Sequence, residues 1–515
     1  MTNVNFDSLL KEIGEFGRFQ KLSIASLSIV QIFLAFANFG FVFFGYTFTE
    51  FRCVNPIRNT TGCVAQCEYY ESNDGYSSYA TEWGLICKDK YLLRIAQITH
   101  MGGLFVGAFS CGPFADRFGR LRVLYTNLAI MCLLSFVTIC LRDIYSFCLV
   151  TFLLGVCCQG CGLTSYTLIL EAVGEKYRAL CGILEQVFYA FGIALTALLA
   201  YCIPNWRNLA AVFAIAGPIA FIIMLPFQIE STRWLLTQPT KRLAALKNLK
   251  YITRINGTLL PSNGSPNHIN SSNIFKFFDS LHDDDFRTSR VEEASDTDAL
   301  IDGSSNARTR VDSYVIAKES FCTLCTHPLL RKWTLLFSIC WFSNAAAYYG
   351  STIASGEAFT NRFISFALSG LVEIPGHCLS PWLMNTYGRR KFHSYLQILG
   401  GVFFSLVLPM ACWHEAAVLI VATLAKLCIA MSFASAYVFA SEVYPTSIIN
   451  AAIGFCVTCG RLGGTVAPAL LALGREISCL IFGAITLVSG IAALYLPETL
   501  GHHMPPSSLQ LVERT

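Results

Sequence analysis

The chain has 515 residues, of which 54% are hydrophobic and only 14% charged, and its mean hydropathy is +0.52. Soluble domains carry about 25% charged residues, so these proportions exclude an ordinary water-soluble globule and fit a protein surrounded by lipid. The net charge is only +4, with its cations spread along the chain rather than gathered in one patch, which argues against a nucleic-acid partner.

In chain order, the stretch 1–22 is polar, with Phe6, Leu9, Leu10, Ile13 and Phe16 at helical spacing opposite Asp7, Lys11, Glu12, Glu15 and Arg18. That pattern predicts a cytoplasmic amphipathic segment lying on the membrane surface, and no cleavable signal peptide is apparent in it. A membrane-crossing helix needs roughly 20 apolar residues, because 1.5 Å of rise per residue must span about 30 Å of hydrocarbon. Six runs satisfy this within 23–228: 23–47, 91–114, 123–141, 144–170, 179–201 and 208–228. Six more lie within 333–496: 333–353, 363–385, 392–412, 416–440, 448–473 and 476–496. The runs are long and apolar on every face, unlike the short alternating strands of a barrel, so the expectation is an all-α membrane protein of twelve transmembrane helices in two six-helix bundles.

Between the first two runs lies the loop 48–90, with Cys53, Cys63, Cys67 and Cys87 and the glycosylation sequon at Asn59. Four cysteines allow two disulfides in three possible pairings, and no His accompanies them to suggest a metal. Most of the 22 cysteines fall instead within the spans, where a reduced thiol is a small apolar side chain. Lys and Arg flanking spans mark the cytoplasmic side. Arg117, Arg120, Arg122, Lys176, Arg178, Arg389, Arg390 and Lys391 share one side, which places the 48–90 loop outside and both termini in the cytoplasm. The linker 229–332 opens with one or two short amphipathic helices. It continues into a Ser-, Asp- and Asn-rich stretch too poor in apolar residues to offset chain entropy. The tail 497–515 is cytoplasmic.

The two halves repeat. Gly119-Arg120 is echoed by Gly388-Arg389, Glu171 by Glu442 and Glu230 by Glu498, each about 270 residues further on, as a duplicated six-helix unit requires. Paired bundles able to rock about a central site give alternating access, whereas receptors and scaffolds seldom show such duplication.

"GPFADRFGRLR" at 112–122 has the form Gly-x-x-x-Asp-Arg-x-Gly-Arg-x-Arg, and it resembles the major facilitator superfamily signature. The resemblance implies the major facilitator fold and a gating role for Asp116, Arg117 and Arg120 with Glu171, Arg178 and Glu230, and for Arg389 with Glu442 and Glu498. The second copy, "MNTYGRRKF", carries Asn385 where the family has aspartate, which implies a weaker latch there. A positive-inside anchor is the simpler reading of these arginines. "LLKEIGEFGRFQ", "TEWGLIC", "ESTRWLL", "SEVYPT" and "LPETLG" extend the resemblance over nearly the whole chain to the organic cation, organic anion and carnitine transporters, a group like solute carrier family 22. One departure is Ile449, where the family usually carries arginine.

Charges within spans indicate what is carried, since an ionised group in lipid is costly and is normally placed in a cavity. The resemblance implies aspartate at position 461 in cation carriers and arginine in the anion and carnitine branches. Arg461, with Lys426, therefore points to a carboxylate or sulfonate. His377 stands where the anion branch has lysine, while Glu373 could hold a cationic group, so a zwitterion satisfies both signs. A permanent pairing of Arg461 with Glu373 or another carboxylate is the structural alternative. Trp341, Tyr348 and neighbouring Tyr349 match pocket-lining rings of the family's seventh span, and Gln186 is a further pocket candidate.

No phosphate-cradling loop, metal cluster or activated nucleophile is present, so the reading is of a carrier and not an enzyme, with no cofactor. Its partners are a small organic ion, the bilayer and a coupling ion or exchanged anion. Its expected home is the plasma membrane, as a multi-pass protein. Organic cation transport and a non-transporting receptor or scaffold are the competing readings.

Overall fold

The computed structural model describes residues 10–11, 13–45, 51–55, 58–61, 69–72, 75–257, 324, 326–357, 361–444 and 448–500. Long helices dominate: α1 Arg18–Phe44, α2 Tyr91–Phe118, α3 Arg120–Cys140, α4 Ile144–Ala172, α5 Glu175–Cys202 and α6 Trp206–Met224. After the linker come α7 Pro328–Ser355, α8 Arg362–Tyr387 with a break at Val372, α9 Arg389–Ala411, α10 Glu415–Val443, α11 Ile449–Leu471 and α12 Arg475–Ala493. Among the described residues, eleven helices, not the expected twelve, are both long and apolar enough to cross a membrane. The exception is α7. It has the length, but Arg331, Lys332, Ser343, Asn344, Ser351, Thr352 and Ser355 dilute its apolar content, and several of these are buried against protein.

Local chemistry sets many helix ends. Asp143 starts α4 by accepting from Ser146 N at 2.7 Å, and these Ser146 hydrogen bonds hold the exposed carboxyl below its usual range. Asn205 and Asn361 cap α6 and α8 in the same way. Pro328 at the first position of α7 costs no hydrogen bond, because its missing N–H has no partner in a helix's first turn.

Packing between helices depends on small residues. Helices α2 and α4 approach closely at Gly103 and Gly155, where an added Cβ would stand 2.1 Å from Phe152 O or 2.3 Å from His100 O. Backbones can meet so closely only without side chains, and van der Waals contact then holds the helices together in lipid, which offers no hydrophobic gain. The outer faces carry Phe109, Leu133, Leu149, Ile222, Trp382 and Val488, all strongly exposed, as a lipid solvent permits.

The amino-terminal segment departs from expectation. Leu10 and Ile13 are buried in protein instead of lying on a membrane. Ile13 and Phe19 pack with Leu249 and Ile252 of the amphipathic helix Arg242–Asn256, and Phe16 stacks on Tyr177 at 4.9 Å. The first turn of α1 is secured by Asn256, whose Oδ1 accepts from Phe19 N at 2.9 Å. This long-range cap explains why α1 begins at Arg18 and not at residue 23.

In the loop between α1 and α2, strands β1 Phe51–Asn55, β2 Arg58–Thr61 and β3 Tyr69–Ser72 form an antiparallel sheet in the order β2-β1-β3. The side chains of Asn59, Cys53, Cys63, Cys67 and Cys87 lie outside the described residues, as do the linker from 258 to 323 and the tail beyond 500.

Candidate functional site

The duplicated signature ends share one geometry. Gly119 and Gly388, between α2 and α3 and between α8 and α9, have φ of 110° and 89°, a region that favours glycine. A Cβ at either position would meet a glutamate oxygen, Glu230 Oε2 at 2.4 Å or Glu498 Oε2 at 2.7 Å. Those glutamates cap the following helices: Glu230 accepts from Leu121 N at 3.1 Å, and Glu498 from Arg389 N at 2.8 Å. Burial pushes the Glu498 carboxyl up. The N–H groups of Leu500, Arg389, Arg390 and Thr499 outweigh that and hold it below the usual range. The cap is therefore intact at neutral pH and is lost only as pH falls through the lowered value. Gly119→Ala is expected to cost about 1–3 kcal/mol from backbone strain alone, because φ 110° with ψ 148° is open essentially to glycine, read as a lower thermal midpoint of the purified protein.

Arg120 bonds Asp116 at 2.9 Å, lies 3.4 Å from Glu171 and covers the Trp234 ring at 5.7 Å. Trp234 Nε1 donates to Asp116 O at 2.8 Å, tying the "ESTRWLL" motif to the signature. Arg178, half-buried on the first turn of α5, is also engaged. Among the described residues no acid pairs with Arg117. It is exposed and lies over Phe118 at 5.4 Å. In the second copy Arg389 grips Glu442 at 2.9 Å, and Thr499 Oγ1 donates to the same carboxylate at 2.6 Å. That copy is therefore the tighter of the two despite Asn385, because its arginine reaches Glu442 directly and needs no aspartate. Each cluster stays within its own half of the chain.

At the opposite end, which carries the 48–90 loop, the halves meet. Arg94 of α2 holds Glu357, just after α7, through a two-point fork at 2.7 and 2.6 Å, and Gln97 adds a bond at 3.2 Å. Beside this fork, Phe43 stacks on Phe363 at 5.7 Å and meets Phe366 at 5.0 Å. Thr465 of α11 donates to Met101 O of α2 at 3.1 Å. Sequence reasoning missed Arg94 and Glu357. Each sits near a span end, where a charge looks like an interfacial anchor, and their partnership crosses the repeat.

Midway between these ends, the charged residues separate into two groups. Glu373 of α8 is 1% exposed and Lys426 of α10 is 2% exposed, and Lys426 Nζ stands 3.0 Å from Glu373 Oε1. Tyr348 of α7 donates to Glu373 Oε2 at 2.9 Å, Lys426 also donates to Tyr348 O at 3.2 Å, and His377 Nε2 lies 3.7 Å from the carboxylate. These four predicted residues do come together, but as a closed group in which acid and base neutralise each other. Lys426 is thus occupied, and Glu373 does not pair with Arg461.

Arg461 of α11 is half-buried and donates to Tyr349 Oη, with its guanidinium 5.7 Å from that ring. Its charge acts on Tyr437, Tyr189 and Cys158 from both halves of the chain. No carboxylate lies within ion-pair distance of it among the described residues. Trp341 is buried and meets Tyr437 edge-on at 4.3 Å. Asn38 joins Tyr189 at 3.0 Å to His100 at 3.2 Å, a polar bridge with no readable sequence motif. Gln186 is exposed on a face of α5 away from the apolar stripe of Leu180, Leu184, Phe191 and Leu198.

Among the described residues no group of three or more His, Cys, Asp or Glu could hold a metal ion.

A family model described as Major Facilitator Superfamily matches residues 91–468. "Organic cation transporter protein" from Drosophila melanogaster is 27% identical, with 98% of this chain and 93% of the relative covered. "Solute carrier family 22 member 6" from Pseudopleuronectes americanus is 29% identical, with coverage of 87% and 73%. Among solved structures, the inward open xylose transporter XylE from E. coli is similar at a TM-score of 0.62 and 12% identity, covering 94% of this chain and 96% of its own.

Proposed function

The chain belongs to the Major Facilitator Superfamily and is similar along nearly its whole length to solute carrier family 22, and from that premise we propose that it carries small organic anions or zwitterions by alternating access. The observation that carries the substrate reading is Arg461. It is a guanidinium among tyrosines between the two halves, with no carboxylate partner among the described residues, while Lys426 and Glu373 cancel each other. A charge so placed recruits a carboxylate or sulfonate, which a guanidinium binds through paired N–H groups.

A second reading is favoured by the relatives. Two Drosophila proteins similar to this chain carry "organic cation transporter" in their names, and such names lean toward cations more than toward anions. The tyrosines around Arg461 could equally face a flat cation. Uptake into proteoliposomes of matched pairs, each a carboxylate and its neutral amide or amine counterpart, separates the two. The anion reading expects saturable uptake of the carboxylate members, and preference for the amines overturns it.

In this reading the 48–90 loop end faces outward and is shut, held by Arg94 and Glu357, and both termini face the cytoplasm of a plasma-membrane carrier. The Asp116, Arg120, Glu171 and Arg389, Glu442, Glu498 clusters brace the helix ends that move at the inner side. Glu357→Ala is expected to free the outer closure, seen as faster amide hydrogen exchange across 362–371. Unchanged exchange there would mean that the aromatic contacts alone hold the closure.

A further inference from the structure

A second ionisable group lies deep in the first half of the chain, and neither the charge clusters nor the Arg461 site uses it. Glu185 of α5 is 3% exposed. Its Oε1 accepts from Gln31 of α1 and from Ser165 of α4, the latter at 3.0 Å, while its Oε2 is buried without any hydrogen-bond partner. Among the described residues no cation lies within ion-pair distance of it.

Among the described residues the neighbouring elements present only neutral groups to it. From α1 comes Gln31, and from α4 come Ser165 and Tyr166. Across the interface Glu185 acts on Tyr437 of α10, as it does on Tyr166, and Tyr189 is the next titratable side chain along α5. Arg461 acts on Tyr437 and Tyr189, but no charged side chain acts on Glu185 itself. From α8, Glu373 and His377 belong to the Lys426 group.

An ionised carboxylate in such a place has lost its water without gaining a counterion, whereas a neutral carboxyl has no such penalty. The bare Oε2 is where the missing proton would sit. We propose that Glu185 is a proton-binding site of this carrier, loaded while Tyr437 covers it and unloaded when the halves separate, so that organic-ion movement is linked to a proton gradient. The geometry supplies the link. Tyr166 and Tyr437 stand 6.2 Å apart, one from each half, so parting them admits water to Glu185 and lets the carboxylate form. Gln31 and Ser165 donate to Oε1 in either state, which makes the proton removable. The proposal rests on the carrier reading, and it concerns a group distinct from the substrate's.

Two measurements test it. Infrared spectra of the purified full chain are expected to show a protonated-carboxyl C=O band at neutral pH that disappears in Glu185→Gln. No such band in the wild type, or the same band in the variant, overturns the proposal. In proteoliposomes, reversing an imposed pH gradient is expected to change wild-type uptake several-fold and to leave uptake by correctly folded Glu185→Gln indifferent to gradient direction. A wild type that ignores the gradient, or a variant that still follows it, also overturns the proposal. If no organic ion is moved at all, the carrier reading fails separately, and the infrared band still decides the protonation of Glu185.

Discussion

Arg461→Asp is expected to lower uptake of carboxylated substrates by about 10- to 100-fold while sparing, or raising, uptake of purely cationic ones. A hydrogen bond to a charged group contributes about 1.5–3 kcal/mol, and each 1.4 kcal/mol is a factor of ten, so losing a guanidinium that pairs with the substrate accounts for the range. Tyr349→Phe is the control. It removes the hydroxyl that accepts from Arg461 but keeps the charge and the ring, so its expected effect on anion uptake is smaller than that of Arg461→Asp, because the freed guanidinium N–H groups remain open to the substrate carboxylate. Charge-matched substrates in the same proteoliposome assay give both numbers. Equal loss of anions and cations in Arg461→Asp would identify an arginine that serves packing.

The second large effect belongs to the closed pair. Lys426→Met leaves Glu373 as an uncompensated carboxylate with almost no access to water. Removing one partner of a buried ion pair costs about 3–5 kcal/mol, so the variant should show a marked fall in thermal midpoint and poor delivery to the membrane. Lys426→Met with Glu373→Gln is expected to recover most of that loss. A neutral amide at 373 can still accept from Tyr348, and a buried pair is often replaceable by neutral side chains of similar volume. Midpoints of the two single variants and the double form a cycle. Simple additivity would show that the two charges do not depend on each other.

What sequence could and could not reveal follows from the range of each interaction. Membrane spans are readable because a lipid solvent demands long apolar runs, and α7 falls short because polar and charged residues dilute it, several of them sheltered by protein. The Gly119 and Gly388 turns and their glutamate caps were legible as a repeat, since backbone geometry there leaves little choice of residue. Arg461 is legible as a charge within a span. Its separation from Glu373 was not legible, because the choice of Lys426 as partner depends on how α8 packs on α10. Contacts joining remote positions, such as Arg94 with Glu357 and Asn256 with Phe19, leave no local pattern. Glu185 did leave one. An acid inside an apolar span signals function by default, but the adjacent Gln186 offers a polar group at the same height of the helix, and sequence does not show that Glu185 is the buried one of the two.

The most direct test of the central claim is uptake of a labelled panel of organic anions, zwitterions and cations by proteoliposomes containing the purified wild-type chain, compared with empty vesicles. The account predicts saturable uptake led by substrates bearing a carboxylate or sulfonate, with trans-stimulation by unlabelled substrate on the far side. Movement of nothing above the empty vesicles would contradict transport itself, and uptake confined to cations would contradict the role given to Arg461.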